Sequence, residues 1–189
     1  MIAAYFGSPA ISLYGVHHRP EGPAQGSLGV VLCRPAFHEA ANSHRALRSL
    51  ADRFARAGVH ALRFDYRGTG DSAGTEDCFR IGHAVEDVLV ARDELQASRG
   101  LARVGFVGLR LGASVAALAA ARCPELPLLV LWEPIVSGGA YLQGLRRMQQ
   151  SWVDFEAHER PDARRFATED EALGYLVHPR EEGDLGALE

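Results

Sequence analysis

From residue 28 to about 132 the chain alternates short, near-continuous apolar runs with longer stretches carrying an apolar side chain every three or four positions. The first pattern marks strands buried on both faces, the second helices with one covered side. "SLGVVLCRP" is such a strand, ended by Pro35. Residues 43–57 put Leu47, Leu50 and Phe54 on one helical face, with Asn42 or Ser43 as N-cap and Gly58 just past the end. "VHALRFD" reads as the next strand. The turn "YRGTGDSAG" leads to a helix over roughly 79–97 whose face carries Ile81, Val85, Val88 and Leu95. "RVGFVG", "LRLGASVAALAAAR" and "LPLLVLW" then predict strand, apolar helix and strand.

Before this alternation, "AAYFG" and "ISLYGVHH", separated by Ser8-Pro9, predict a hairpin, and "HHRPEGPAQGSLG" a turn-rich connector. Strand and helix in strict alternation predict a parallel sheet with right-handed crossovers and helices on both faces, a core over residues 1–133. Beyond Pro134, in residues 134–189, the rhythm becomes helical. There Leu142, Leu145, Met148, Trp152 and Phe155 recur at spacings of three and four, Pro161 ends the helix, and no strand pattern follows.

Composition narrows the function. The chain has 189 residues, enough for one buried α/β core, with a net charge of -4 that offers no basic stripe for nucleic acid or an anionic membrane. All 20 basic residues are arginine, so P-loop and lysine Schiff-base chemistry, pyridoxal phosphate included, have no lysine to use. Cys33, Cys78 and Cys123 are widely spaced and odd in number, which suits reduced thiols rather than a disulfide framework or a zinc site. With no signal-peptide pattern at "MIAAYFGSPAISLYG" and no apolar run of membrane-spanning length, the sequence leads us to expect a cytoplasmic protein. No cofactor motif is visible.

The stretch "VGFVGLRLGAS" carries the chemistry. Gly108-Leu109-Arg110-Leu111-Gly112 keeps the glycines, the strand before and the helix after that define a nucleophile elbow, G-x-S-x-G, but arginine stands where the serine belongs. This motif, with "VVLCRPAFHEAANSHRALRSLADRFARAGVHALRFDYRGTGDSAG", resembles bacterial α/β-hydrolases of the serine-aminopeptidase-like type. "VGLRLGAS" with "LWEPIVSGGAYLQGLRRM" resembles a subset with arginine at the elbow, which includes hydrolase-like proteins associated with exosortase systems. The resemblance spans about residues 11–189, with "EALGYLVHP" similar to the segment after their inserted cap. It implies an α/β-hydrolase-like sheet, C-terminally truncated with a partial helical cap, since the family's catalytic acid and histidine follow later strands. It also implies hydrolysis of an ester, thioester or amide, and an oxyanion hole from backbone N-H groups at Ala36, Phe37 and Leu111. The alternative for these amides is that they only cap a turn.

A guanidinium stays protonated and has no lone pair for an acyl carbon, so Arg110 is no nucleophile. Either it clamps an acyl or anionic small molecule, or it pairs with Glu133, which ends the neighbouring strand. The glycines at 68, 70 and 74 miss phosphate-cradle spacing, and Asp71 and Ser72 read as local turn formers. His83 and Asp87, four apart, read as a surface hydrogen bond rather than two metal ligands. His178 reads as a loop histidine and Cys33 as a packed thiol. Three functions remain: a degenerate hydrolase binding at most a small acyl or anionic molecule, an active hydrolase using another nucleophile, and an interaction module. The last could be one piece of a split hydrolase, joining a second copy or a complementary fragment through the open sheet edge.

Overall fold

The structure is a computed structural model that describes residues 1–20, 22, 28–75, 79–159, 171–173, 175–177 and 179–188. Most of the connector at 21–27, Cys78, Pro161 and His178 lie outside the described residues. The chain divides into two compact units, Met1–Ile135 and Val136–Glu189.

The first unit is built on a six-stranded sheet. Strands β1 (Ile2–Ser8) and β2 (Ile11–His18) form the antiparallel hairpin, and β2 pairs antiparallel with β4 (His60–Phe64). From there β4, β3 (Leu28–Cys33), β5 (Arg103–Leu109) and β6 (Leu129–Trp132) run parallel, giving the order β1-β2-β4-β3-β5-β6. Successive side chains of a strand face opposite ways. On β3, Val30 and Leu32 enter a core with Ala51 of helix α1 (Phe37–Arg56), together with Ala61 and Val107. Gly29 instead lies beneath Leu95 of helix α2 (Ile81–Arg99), so the two helices cover opposite faces. Helix α3 (Leu111–Ala120) packs beside α2, and its near-continuous apolar sequence is matched by burial of Leu111, Ala113, Val115, Ala116 and Ala119.

Helix α1 starts six residues earlier than its polar pattern suggests. Its N-cap is Ala36, which makes no side-chain capping bond, whereas Asn42 lies inside the helix and the Ser43 hydroxyl donates to the Ala40 carbonyl at 3.3 Å. Phe37, buried at the end of the sheet, fixes the start; this tertiary packing overrides the local preference of Asn and Ser for caps. Helix α2 begins and ends two residues later than expected, and its predicted face of Ile81, Val85, Val88 and Leu95 is buried.

In the second unit, α4 (Gly138–Glu159) buries Tyr141, Leu142, Leu145 and Val153. The expected stripe is therefore corrected: Met148, Trp152 and Phe155 are 46, 55 and 70% exposed, because the buried line drifts around the helix through Gln149 rather than continuing at Met148. Gln149 Oε1 accepts a 2.8 Å bond from the Leu173 amide, tying α4 to the next element. A second correction follows there. Strands β7 (Glu171–Ala172) and β8 (Tyr175–Leu176) form a small antiparallel pair, too short to show a periodic pattern, before helix α5 (Pro179–Gly186). Gly138 lies against the Leu185 backbone, where a Cβ would collide, and its N-H bonds the Leu188 carbonyl at 3.0 Å.

Candidate functional site

The ends of β3, β5 and β6 lie side by side in the sheet, and each leads into a non-glycine residue of positive φ: Phe37 at 54°, Arg110 at 54° and Glu133 at 51°. Backbone strain of this kind persists only where surrounding structure over-determines it. At Arg110 the turn is that of a nucleophile elbow, with φ 54° and ψ -124° directly before α3. Its N-H donates to the Trp132 carbonyl at 2.9 Å and its carbonyl accepts from the Ala113 amide at 2.9 Å. The flanking glycines are steric requirements. A Cβ on Gly108 would run into the Ala113 backbone, and one on Gly112 into the carbonyls of Cys33 and Arg34.

This sets the start of α3 close against the end of β3, just before the turn at Ala36 and Phe37. Ala36 is extended, with φ -102° and ψ 175°, and Phe37 is anchored by an edge-to-face contact with Phe79 at 6.1 Å between ring centroids.

The side chain at the elbow tip is committed to carboxylates. Arg110 Nε donates to Glu39 Oε1 at 2.9 Å, and Nη1 lies 3.3 Å from Glu133 Oε1. Glu39 belongs to the first turn of α1, where the helix dipole also favours a negative charge. One guanidinium therefore ties together the segments that follow three adjacent strands. The Arg110 and Glu39 side chains are 28 and 19% exposed, so their bond is shielded, while Glu133 at 69% is largely solvated. The sequence singled out Glu133 and missed Glu39. The signal for Glu39 is an acidic residue in a helix's first turn, masked in the sequence by the cap-like Asn42 and Ser43 that point to a later start.

The other candidates take structural roles. Burial pushes the Cys33 thiol well above its ordinary range, which leaves it protonated and inert. Asp71 and Ser72 lie in a loop organised by Asp65: the Asp71 amide donates to Asp65 Oδ2 at 3.2 Å, and the Ser72 hydroxyl donates to the Asp65 carbonyl at 2.6 Å while accepting from the Tyr14 amide at 2.8 Å. Asp87 is a correction. It is fully buried, not at the surface, because its carboxylate accepts from the Arg67 amide at 2.9 Å and from Arg67 Nε at 2.7 Å. Burial raises the Asp87 pKa and these Arg67 bonds oppose the rise. Among the described residues no cluster of three His, Cys, Asp or Glu side chains could hold a metal ion.

A mostly parallel sheet whose β5 runs through a strained, glycine-flanked elbow into a helix is the architecture of an α/β hydrolase. The fold is similar to an α/β serine hydrolase homologue from Coxiella burnetii, with TM-score 0.56, 20% identity and coverage of 65% of this chain and 58% of that one. A lidless α/β serine hydrolase from Xanthomonas campestris gives 0.55, 24%, and coverage of 65% and 56%. An esterase from Pyrococcus furiosus gives 0.62, 16%, and coverage of 79% and 56%. Residues 27–174 match the family described as serine aminopeptidase, S33, and the chain belongs to that family. It spans less than six-tenths of the length of the three structures named. No curated protein sequence matches it.

Proposed function

We propose that this chain is a catalytically degenerate member of its family, in which the elbow has exchanged nucleophilic chemistry for a structural ion pair. The observation that carries the reading is Arg110 at the strained tip with its Nε bonded to Glu39 at 2.9 Å. Acyl transfer at an elbow needs an atom there that can share an electron pair with a carbonyl carbon, and a guanidinium has none to give. An acyl or anionic molecule directed at Arg110 would have to compete with two carboxylates already in place, which disfavours a clamp. Hydrolysis of p-nitrophenyl acetate and p-nitrophenyl butyrate tests this. The protein is expected to match its heat-inactivated control, and Arg110→Ser supplies the comparison with a hydroxyl at the tip. Saturable turnover by the unaltered protein would establish the rival reading of an active hydrolase with a different nucleophile.

A second reading, as an interaction module, draws support from β6. Leu129, Val130, Leu131 and Trp132 are 39 to 61% exposed on a strand at the edge of the sheet, an apolar edge of the kind that recruits a further strand. On this reading the protein self-associates or joins a complementary hydrolase fragment through β6. A concentration-independent monomer mass in sedimentation equilibrium would exclude the self-association form.

A further inference from the structure

On the sheet face covered by α1 lies a half-open cleft of about 520 Å3, whose lining includes none of Arg110, Glu39 and Glu133. Its lining is drawn from the β1–β2 hairpin, β3, β4 and α1. Ala3, Val16 and Leu32 give it an apolar floor. Ala40, His44 and Arg48, four residues apart along α1, form one wall. Such a volume and such a lining fall within the range of small-molecule sites.

Its charges are unevenly matched. Arg34 Nη1 is answered by Asp65 Oδ1 at 2.6 Å. Arg63, half-buried on β4, spends only its Nε, which donates to Nε2 of the buried His18 at 3.1 Å. His18 Nδ1 donates in turn to Asp52 at 2.7 Å. A ring that accepts at one nitrogen and donates at the other is neutral, so His18 brings no negative charge to Arg63. The Nη groups of Arg63, and the whole Arg48 guanidinium, consequently have no carboxylate partner among the described residues. Burial and then the Arg48 charge lower the Arg63 pKa, with Asp52 and Asp65 acting the other way, as expected for two cations facing a common space. Asp71 stands at the exposed mouth and repels anions from the rim, favouring the end near Arg63.

We propose that this cleft is a binding site for a small organic anion, a carboxylate or phosphate monoester bearing an apolar group, whose charge Arg63 and Arg48 hold while Val16, Leu32 and Leu47 receive the apolar part. The planar forks of the two arginines suit either anion. Phosphate monoester and carboxylate share this recognition, and a calorimetric titration with phenyl phosphate and with benzoate distinguishes them, with benzamide as the neutral isostere.

At least one anion is expected to bind saturably at one site per chain, with benzamide giving no saturable heat. Arg48→Gln, on the exposed side of α1, is expected to weaken binding by about tenfold, equivalent to about 1.4 kcal/mol. Asp71→Asn is expected to tighten it. Arg63→Gln removes the deeper anchor and is expected to abolish binding. Arg110→Gln should leave the dissociation constant unchanged, which separates the cleft from the elbow. The proposal is overturned by the absence of saturable binding of either anion, by benzamide binding equally well, by an unchanged dissociation constant in Arg48→Gln, or by loss of binding in Arg110→Gln.

Discussion

Removing Arg110 takes from the partly buried Glu39 the shielded ion pair it makes beside a strained turn. Breaking a shielded pair from one side commonly costs a few kcal/mol, because the remaining charge keeps its desolvation penalty. Arg110→Ala is therefore expected to destabilise the protein by about 1 to 3 kcal/mol in urea unfolding, and the double change Arg110→Ala/Glu39→Gln by less than the sum of the two single changes. Glu133→Gln should shift stability by no more than about 0.5 kcal/mol, since its carboxylate is mostly in water. Strict additivity of the first two substitutions would remove the pair from the account. His17 governs a different response. Arg99 Nε donates to its Nδ1 at 3.1 Å, and its Nε2 faces His60 Nδ1 at 2.9 Å. Burial first, and then the electrostatic influence of Arg99, His60, Arg19 and His18, lower its pKa from 6.5 to about 3. Between those values the unfolded chain takes up a proton that the folded one refuses, so stability falls as pH drops through this window and levels off above it. A loss of roughly 1 to 2 kcal/mol at pH 5 is expected, and His17→Gln should flatten the slope. An equally steep slope in His17→Gln would assign the response to other groups. At this scale the sequence revealed Arg110 and its flanking glycines, because G-x-x-x-G between a buried strand and an apolar helix is a local signature. Glu39 and the Asp87–Arg67 pair depend on contacts between residues 71 and 20 positions apart, which no local pattern encodes.

Among the elements, the strands and helices of the sheet were readable from hydrophobic period, and the misreadings have common causes. Helix α1 has short polar residues at 42 and 43 that imitate a cap, while its true start is held by packing of Phe37. In α4 spacings of three and four permit more than one line down the helix: the apolar pattern runs through Met148, Trp152 and Phe155, whereas burial follows Leu145, Gln149 and Val153. Strands β7 and β8 have two residues each, below the length at which alternation shows. For β6 the consequence is functional. Placing a charge in the middle of its exposed apolar run, as in Val130→Arg, is expected to suppress any self-association of the parent protein, since edge charges block strand addition. Sedimentation of both proteins at matched concentrations checks this, and unchanged association in Val130→Arg would place the contact elsewhere.

Across the molecule, the sheet order follows from alternating strands and helices with an antiparallel hairpin at one edge, and it brings the ends of β3, β5 and β6 together. That convergence is where the fold of this family places its elbow turn. Phe37, Arg110 and Glu133 still hold the strained backbone there, and Gly108 and Gly112 still make room for it. The side chain at the tip forms an ion pair across neighbouring segments. No helix among the described residues is long and apolar enough to cross a membrane. The elbow's chemistry is tested most directly by incubating the protein with an alkyl fluorophosphonate, which phosphonylates activated hydroxyls, and measuring the intact mass with peptide mapping. The unaltered protein is expected to keep its mass, with no adduct on any residue of the elbow or the turn beside it. A stoichiometric adduct that heat inactivation abolishes would show an activated nucleophile and contradict the account.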